Sequence, residues 1–225
     1  AAAATVAAQL LSFCYCFLVL RKMELMKMEK KDWRMKKAIV SIQCRLGIPL
    51  ALQHVLIAVG GMILQSAINK HGFLFIASFT ATNKIYGLLG SSAVSLGYAV
   101  TTYMAQNYGA GLSGRIRKGL KSAAILGAAL SVFVSVFMLL SGKQILGLFI
   151  DNTSPDAPEV LEIAYRYLSI MSVLLCPLYQ LYVFRNTLQS LGNAVAPFLS
   201  GIIEFIARVS AGCFFTQIFG ASAIF

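Results

Sequence analysis

Glu204 and Arg208, in the segment SGIIEFIARVS, are an acid and a base four residues apart inside a strongly apolar stretch. On a helix they share one face, with the acid N-terminal to the base, the favourable order for an ion pair. Counted from Asn193 at 1.5 Å per residue, Glu204 lies ~16 Å along the stretch, near the midplane if that stretch crosses a bilayer. A charge at that depth costs at least ~2.5–3.5 kcal/mol, so such a residue must be paired or used. Two roles fit the spacing equally: a mutually neutralised staple to a neighbouring helix, or a place on a substrate or proton path. His54 sits about two turns into another apolar run, where an imidazole can carry a proton near neutral pH or simply pack and hydrogen-bond. Gln53, Gln65, Asn69, Asn83 and Gln180 are uncharged, and each can bond a neighbouring helix or line a wet cavity. Lys84 stands near the end of its run, where a long amine reaches the interface.

No residue pattern supports bond-breaking chemistry. There is no HExxH, no GxSxG, no phosphate loop and no paired aspartates within one apolar run, so an enzyme is the weaker class. Cys14, Cys16, Cys44, Cys176 and Cys213 lie in or beside apolar runs at spacings that match no zinc motif, and read as packed hydrophobes. Neither a metal nor an organic cofactor is expected.

The elements that must position these residues are long apolar runs at about 1–20, 46–67, 73–104, 119–141, 160–190 and 194–219. Hydrophobic residues make up 58% of the 225 and charged residues 12%, where soluble domains carry roughly 25% charged. Mean hydropathy is +0.76. The runs match the ~20 residues a helix needs to cross hydrocarbon, and they lack the strict alternation of a lipid-facing barrel. The expected fold is all-α: a polytopic membrane bundle of about six transmembrane helices. Run three exceeds a simple crossing and must tilt or bend, with Gly87, Gly90 and Gly97 as the places to do so. Pro49 reads as lying near the start of run two, Gly60 and Gly61 allow close approach or a kink, and Pro155 and Pro158 mark a loop before run five.

Charge gives the orientation. Nine of 19 Lys and Arg lie in residues 21–45, four in 115–121, and Arg185 is assigned to the same side, after the fifth run. The opposite loops hold Lys70, Lys143 and Arg166 with four of the eight acids, so the first set is expected to face the cytoplasm. The net charge of +11 therefore reports topology and not nucleic-acid binding, because the basic residues sit in short loops beside apolar helices. Residues 21–37 also carry Met23, Leu25, Met26, Met28 and Trp33, as a basic amphipathic segment at the headgroups would, with Trp33 as an interfacial anchor. The opening AAAATVAAQLLSFCYCFLVL has no basic residues ahead of its apolar core, unlike a signal peptide, and the chain reads as cut from something larger.

The stretch TYMAQNYGAGLSGRIRKG resembles the loop of the multidrug and toxic compound extrusion (MATE) family, with Gln106, Asn107, Gly109, Ala110, Gly111 and Arg115 carrying the match. Glycines let that turn tighten, and its arginines hold it inside. LGIPLALQ at 46–53, the PEV segment with Ala164, Tyr167 and Leu168, and FRNTLQSLG at 184–192 followed by Glu204 and Arg208 agree in order and spacing. The resemblance spans nearly the whole chain and is nearest to the bacterial DNA-damage-inducible-like branch. It implies two six-helix lobes around a cavity that opens alternately to either side, with export driven by sodium or protons. On that map residues 1–20 are the last helix of the first lobe, 21–45 the cytoplasmic connector, and 46–225 an incomplete second lobe of five helices. Some members carry acids on the helices matching runs two and five; here run two has none, and Gln180 stands near the expected position on run five. A coupling acid would then belong to the missing first lobe.

These readings lead to cation-coupled export of amphipathic, often cationic, organic compounds across a bacterial inner membrane, with the bilayer, a small-molecule substrate and the first lobe as partners. Cavity contacts are expected from Gln53, His54, Gln65, Asn69, Gln180, Glu204 and Arg208, with Tyr86 or Tyr182 as aromatic neighbours. A flippase for lipid-linked sugars would show a more cationic cavity, for which Arg208 and Lys84 are the candidates. A non-transporting scaffold would be a dry bundle with no polar groove.

Overall fold

The structure is a computed structural model that describes residues 2–23, 34–70, 72–150 and 155–212. Leu25, Met26, Met28, Trp33, His71 and Cys213 lie outside the described residues. The described chain is helical without strands: α1 (Ala2–Lys22), α2 (Lys37–Ile68), α3 (Phe73–Gly109), α4 (Ser113–Gly147), α5 (Ala157–Val173), α6 (Leu175–Ser190) and α7 (Val195–Ser210). The all-α membrane bundle expected from composition is thus the fold.

Runs two and five differ most from the helices observed. Run five divides at Leu174 into α5 and α6, bent by 48°. Pro177 explains the break: it has no N–H for the helix ladder, and its ring opposes the carbonyl of Val173, the last residue of α5. Counting the bent pair as one crossing leaves six helical segments. Run two starts earlier than expected, at Lys37, which puts Pro49 inside α2. Its ring opposes the Arg45 carbonyl, and the chain divides there into two units, Ala1–Cys44 and Arg45–Phe225.

In the first unit, the described side chains of α1 are exposed; Phe13 and Phe17 stack at 5.9 Å, and Arg21 lies 5.8 Å from the Phe17 ring centroid. Cys14, Cys16 and Cys44 are exposed, so these three are not packed within that unit as the sequence suggested.

The second unit is built on α3 to α6. Helix α3 runs parallel to α5 and α6: Ser78 Oγ donates to the Val160 carbonyl at 3.0 Å, Thr82 Oγ1 to Ala164 at 3.1 Å, and Thr101 Oγ1 to Asn186 Oδ1 at 3.0 Å. Helix α4 runs antiparallel to α5 and α6, with Tyr165 Oη donating to Leu139 at 2.8 Å and Gln180 Nε2 to Ala124 at 2.8 Å. Lipid tails are as apolar as leucine, so helices in a bilayer hold together by such bonds and by small residues that admit close approach. Ser78→Ala combined with Thr82→Val is therefore expected to lower stability in detergent by about 1 kcal/mol, read as a lower denaturation midpoint with the helical circular-dichroism signal retained.

Outside that core, α2 lies along α7, where a Cβ added at Gly60 would stand 3.3 Å from both Phe205 and Arg208. Apolar side chains face outward: Phe133 is 70% exposed and Leu140 78%. Helices α1, α2 and α4 are each long and apolar enough to cross a membrane, and α5 with α6 qualifies as one broken span. Helix α3, richer in Ser and Thr, does not qualify alone but packs antiparallel along α4, as the Gly127 contact with Leu96 and the Tyr103 bond to Arg115 show.

Two turns at one end close on glycine. After α3, Gly111 has φ +70°, Leu112 N–H donates to Asn107 and Gly111 N–H to Tyr108. After α6, Gly192 has φ +81°, Asn193 N–H donates to Leu188 and Gly192 N–H to Gln189. Both are left-handed caps that satisfy the last helical carbonyls. The GAG segment thus tightens the turn through Gly111, while Asn107 Nδ2 ties back to the Tyr103 carbonyl at 2.8 Å. Arg45 lies beside residues 191–195, and Asn186 meets Thr101 two turns before the α3–α4 turn. Arg45 and the 115–121 basic segment therefore share one end of the bundle. Gly111→Ala is expected to cost about 1 kcal/mol, because a Cβ is strained at that φ, with the lower melting temperature of the purified protein as the check.

Candidate functional site

A cavity of about 310 Å³ opens between α2, α3, α6 and α7. Its centre is a three-residue ionic cluster. Arg185 on α6 donates through one terminal nitrogen to Glu204 Oε2 at 3.2 Å and to Ser200 Oγ at 2.9 Å. Arg208, one turn beyond Glu204 on α7, donates to Oε1 at 2.8 Å. Each carboxylate oxygen thus takes one guanidinium. Arg185 is 9% exposed, Glu204 25% and Arg208 35%, so desolvation falls most heavily on Arg185.

Local sequence explains the placement. The turn at Gly192 folds α7 back antiparallel on α6, which sets Ser200 and Glu204 against Arg185. The Asn193 side chain accepts the Ala196 N–H at 3.1 Å and so caps the start of α7. Gly60 lets Arg208 lie against α2, and Gly201 seats Gln53, whose Cγ would be 2.6 Å from an added Cβ. Asn186 anchors on the Tyr182 carbonyl at 2.8 Å and fills the space beside Gly97, where an added Cβ would stand 2.5 Å from its amide nitrogen. Gly97 is thus a close-contact position. Gly97→Ala should displace Asn186 and break the Thr101 bond, lowering stability by about 1–3 kcal/mol, testable by melting with and without Asn186→Ala, which relieves the clash.

Of the residues expected to line a pathway, Gln53, His54, Glu204 and Arg208 share this cavity, with Tyr86 and Tyr182. His54 is exposed. Gln65 lies further along α2 and donates to Asn69, just past the end of that helix, at 3.0 Å. Gln180 turns away to donate to Ala124 on α4. Lys84 is in a separate depression of about 500 Å³ beside Asp156.

Arg185 corrects the topology reading. It is not a charge after the fifth run but a buried member of α6, facing α7 a full turn before the helix ends. Sequence reasoning also missed Tyr98, Asn186, Gln189 and Ser200. The one available signal was Arg185 itself, an arginine inside an apolar run just ahead of a glycine turn.

Two buried polar atoms here have no hydrogen-bond partner: Gln53 Oε1, an acceptor on a residue 1% exposed, and Arg185 Nε, a donor. The cavity wall therefore holds one buried acceptor and one buried donor without a partner, beside an aromatic lining of Tyr86, Tyr98 and Tyr182.

Comparison with known proteins adds a family assignment. The family model described as MatE matches residues 49–213. The chain is 30% identical over 175 residues to "Probable multidrug resistance protein YoeA" of Bacillus subtilis (strain 168), a match covering 74% of this chain and 36% of that protein. It is 28% identical over 113 residues to "Probable multidrug resistance protein YpnP" of the same organism, covering 50% of this chain and 25% of the relative. The chain thus spans about a third or less of the length of these curated relatives.

Proposed function

Because this chain belongs to the MatE family, we propose that it supplies one lobe of an exporter of amphipathic organic compounds, working by alternating access against a second lobe. One observation carries the reading: a charged, hydroxyl- and tyrosine-lined cavity lies within a bundle whose outer surface is apolar. A scaffold needs no such cavity, because ionisable groups inside a bilayer are costly unless they serve a path or a pair.

Export is coupled to an inward gradient of protons or sodium. Within this lobe Glu204 is the acid in the cavity, and both its oxygens are engaged by arginine. We assign it to holding α6 and α7 together and place the coupling acid on the other lobe. The basic end of the bundle faces the cytoplasm. Matches to two Bacillus proteins named as probable multidrug resistance proteins support the export reading and a bacterial inner-membrane location.

The test is efflux of amphipathic fluorescent dyes, one cationic and one anionic, from cells expressing the complete transporter, under imposed proton or sodium gradients. Faster efflux of at least one dye than from empty-vector cells, lost when both gradients collapse, is expected. Equal efflux of both dyes in the two strains would overturn the export reading. With coupling on the other lobe, Glu204→Gln is expected to keep the gradient dependence at reduced rate; gradient-independent efflux would move the coupling role to Glu204.

A further inference from the structure

We propose that this cavity wall recognises the acidic group of an amphipathic organic anion, with Arg185 as the residue that reads it. The inference rests on the export reading and names its substrate class.

Charge balance comes first. The ionic cluster holds two guanidinium groups and one carboxylate, leaving one positive charge without a counter-charge in the cluster. Among the described lining residues Glu204 is the only acid, and both of its oxygens are taken. In a low-dielectric wall an unmatched guanidinium attracts an anion far more strongly than in water. A cation would meet that charge as repulsion.

Hydrogen-bonding capacity points the same way. Arg185 is nine-tenths buried, its terminal nitrogen is engaged by Ser200 and Glu204, and its Nε–H has no acceptor. The Nε has under 1 Å² exposed, so a carboxylate, sulfonate or phosphate oxygen satisfies that donor with a charge-assisted bond once Arg185 turns it toward the cavity that it lines. The second orphan, Gln53 Oε1, is an acceptor and so needs a hydroxyl or N–H from the ligand. Together they specify an acid bearing a nearby hydrogen-bond donor. Tyr86, Tyr98 and Tyr182 offer ring faces for its apolar body, and a rigid aromatic acid suits a cavity of about 310 Å³.

The chemistry can arrive as a soluble organic acid or as a lipid-linked phosphate, and the experiment separates them. Purified complete transporter is titrated against carboxyfluorescein, against a rhodamine ester of similar ring size and fixed positive charge, and against a lipid-linked diphosphate as competitor. Binding is read by fluorescence anisotropy. The anionic dye is expected to bind at least tenfold tighter than the cationic one. Arg185→Lys, which keeps the positive charge but removes Nε–H, should weaken the anionic dye by about tenfold and leave the cationic dye within twofold. Gln53→Leu gives a second reading that leaves the ionic cluster intact, with an expected three- to tenfold loss for the anionic dye. Displacement by the lipid-linked diphosphate alone, sensitive to Arg185→Lys, supports the acid site and assigns its source to lipid. Tighter binding of the cation, or anion binding unchanged in both variants, overturns the proposal. Gradient-driven efflux of the cationic dye alone would overturn it while leaving the export reading standing.

Discussion

Glu204→Ala is expected to destabilise the protein by about 2–4 kcal/mol and to abolish export, the largest effect of any single charge removal here. The loss leaves Arg185, 9% exposed, with Ser200 as its remaining partner and with a second guanidinium, Arg208, nearby. Breaking a buried pair by deleting one member costs more than the pair was worth, because the survivor keeps its desolvation penalty. The figure sits below that of a fully buried pair because Glu204 is 25% exposed. Arg185→Met alone should also destabilise, through lost bonds to Ser200 and Glu204. The double variant Arg185→Met with Glu204→Met should recover at least 1 kcal/mol relative to the sum of the two single changes, since well-packed apolar replacements often substitute for a buried pair. Melting of the four proteins in detergent measures the coupling; strict additivity would mean that the two side chains do not interact.

Gly201→Ala carries the second large effect. An added Cβ would stand 2.6 Å from Gln53 Cγ and 3.5 Å from the Gln53 Cα, so either the side chain leaves its seat or α7 moves off α2. Gln53 is 1% exposed and has little room to yield. Overpacking of this kind costs about 1–3 kcal/mol, and here it also disturbs the cavity wall, so export should fall at least tenfold. Gln53→Ala in the same protein should restore stability without restoring export. Gly61→Ala is the control: its added Cβ meets nothing within 4 Å, and melting should be unchanged or slightly raised. Equal effects at positions 61 and 201 would show that helix propensity, and not the α2–α7 contact, is what these glycines control.

The helices and their order were readable because a bilayer demands long apolar runs and charged loops announce their ends. Pro177 carried the information for the break between α5 and α6, but an uninterrupted apolar run masks a proline whose effect is a bend. Pro49 was drawn toward the helix start because the basic residues before it looked like connector; they in fact begin α2. The site was harder to read. In lipid both faces of a helix are apolar, so nothing in the spacing told that Gln180 turns to α4 while Gln53 turns to α7. The Glu204–Arg208 spacing disclosed the pair along one helix, whereas Arg185 joins it only through the antiparallel return at Gly192, a contact made between helices.

Water in the cavity is the property on which the proposed export through this wall depends, and cysteine labelling reads it directly. In the complete transporter freed of other cysteines, Tyr182→Cys reports the cavity and Phe133→Cys the lipid-facing surface. A membrane-impermeant maleimide is expected to label position 182 from at least one side of oriented vesicles, with the rate lowered by bound substrate, and to leave position 133 unlabelled. Position 182 unreactive from both sides, like position 133, would mean a dry bundle and contradict a transport path along α6 and α7.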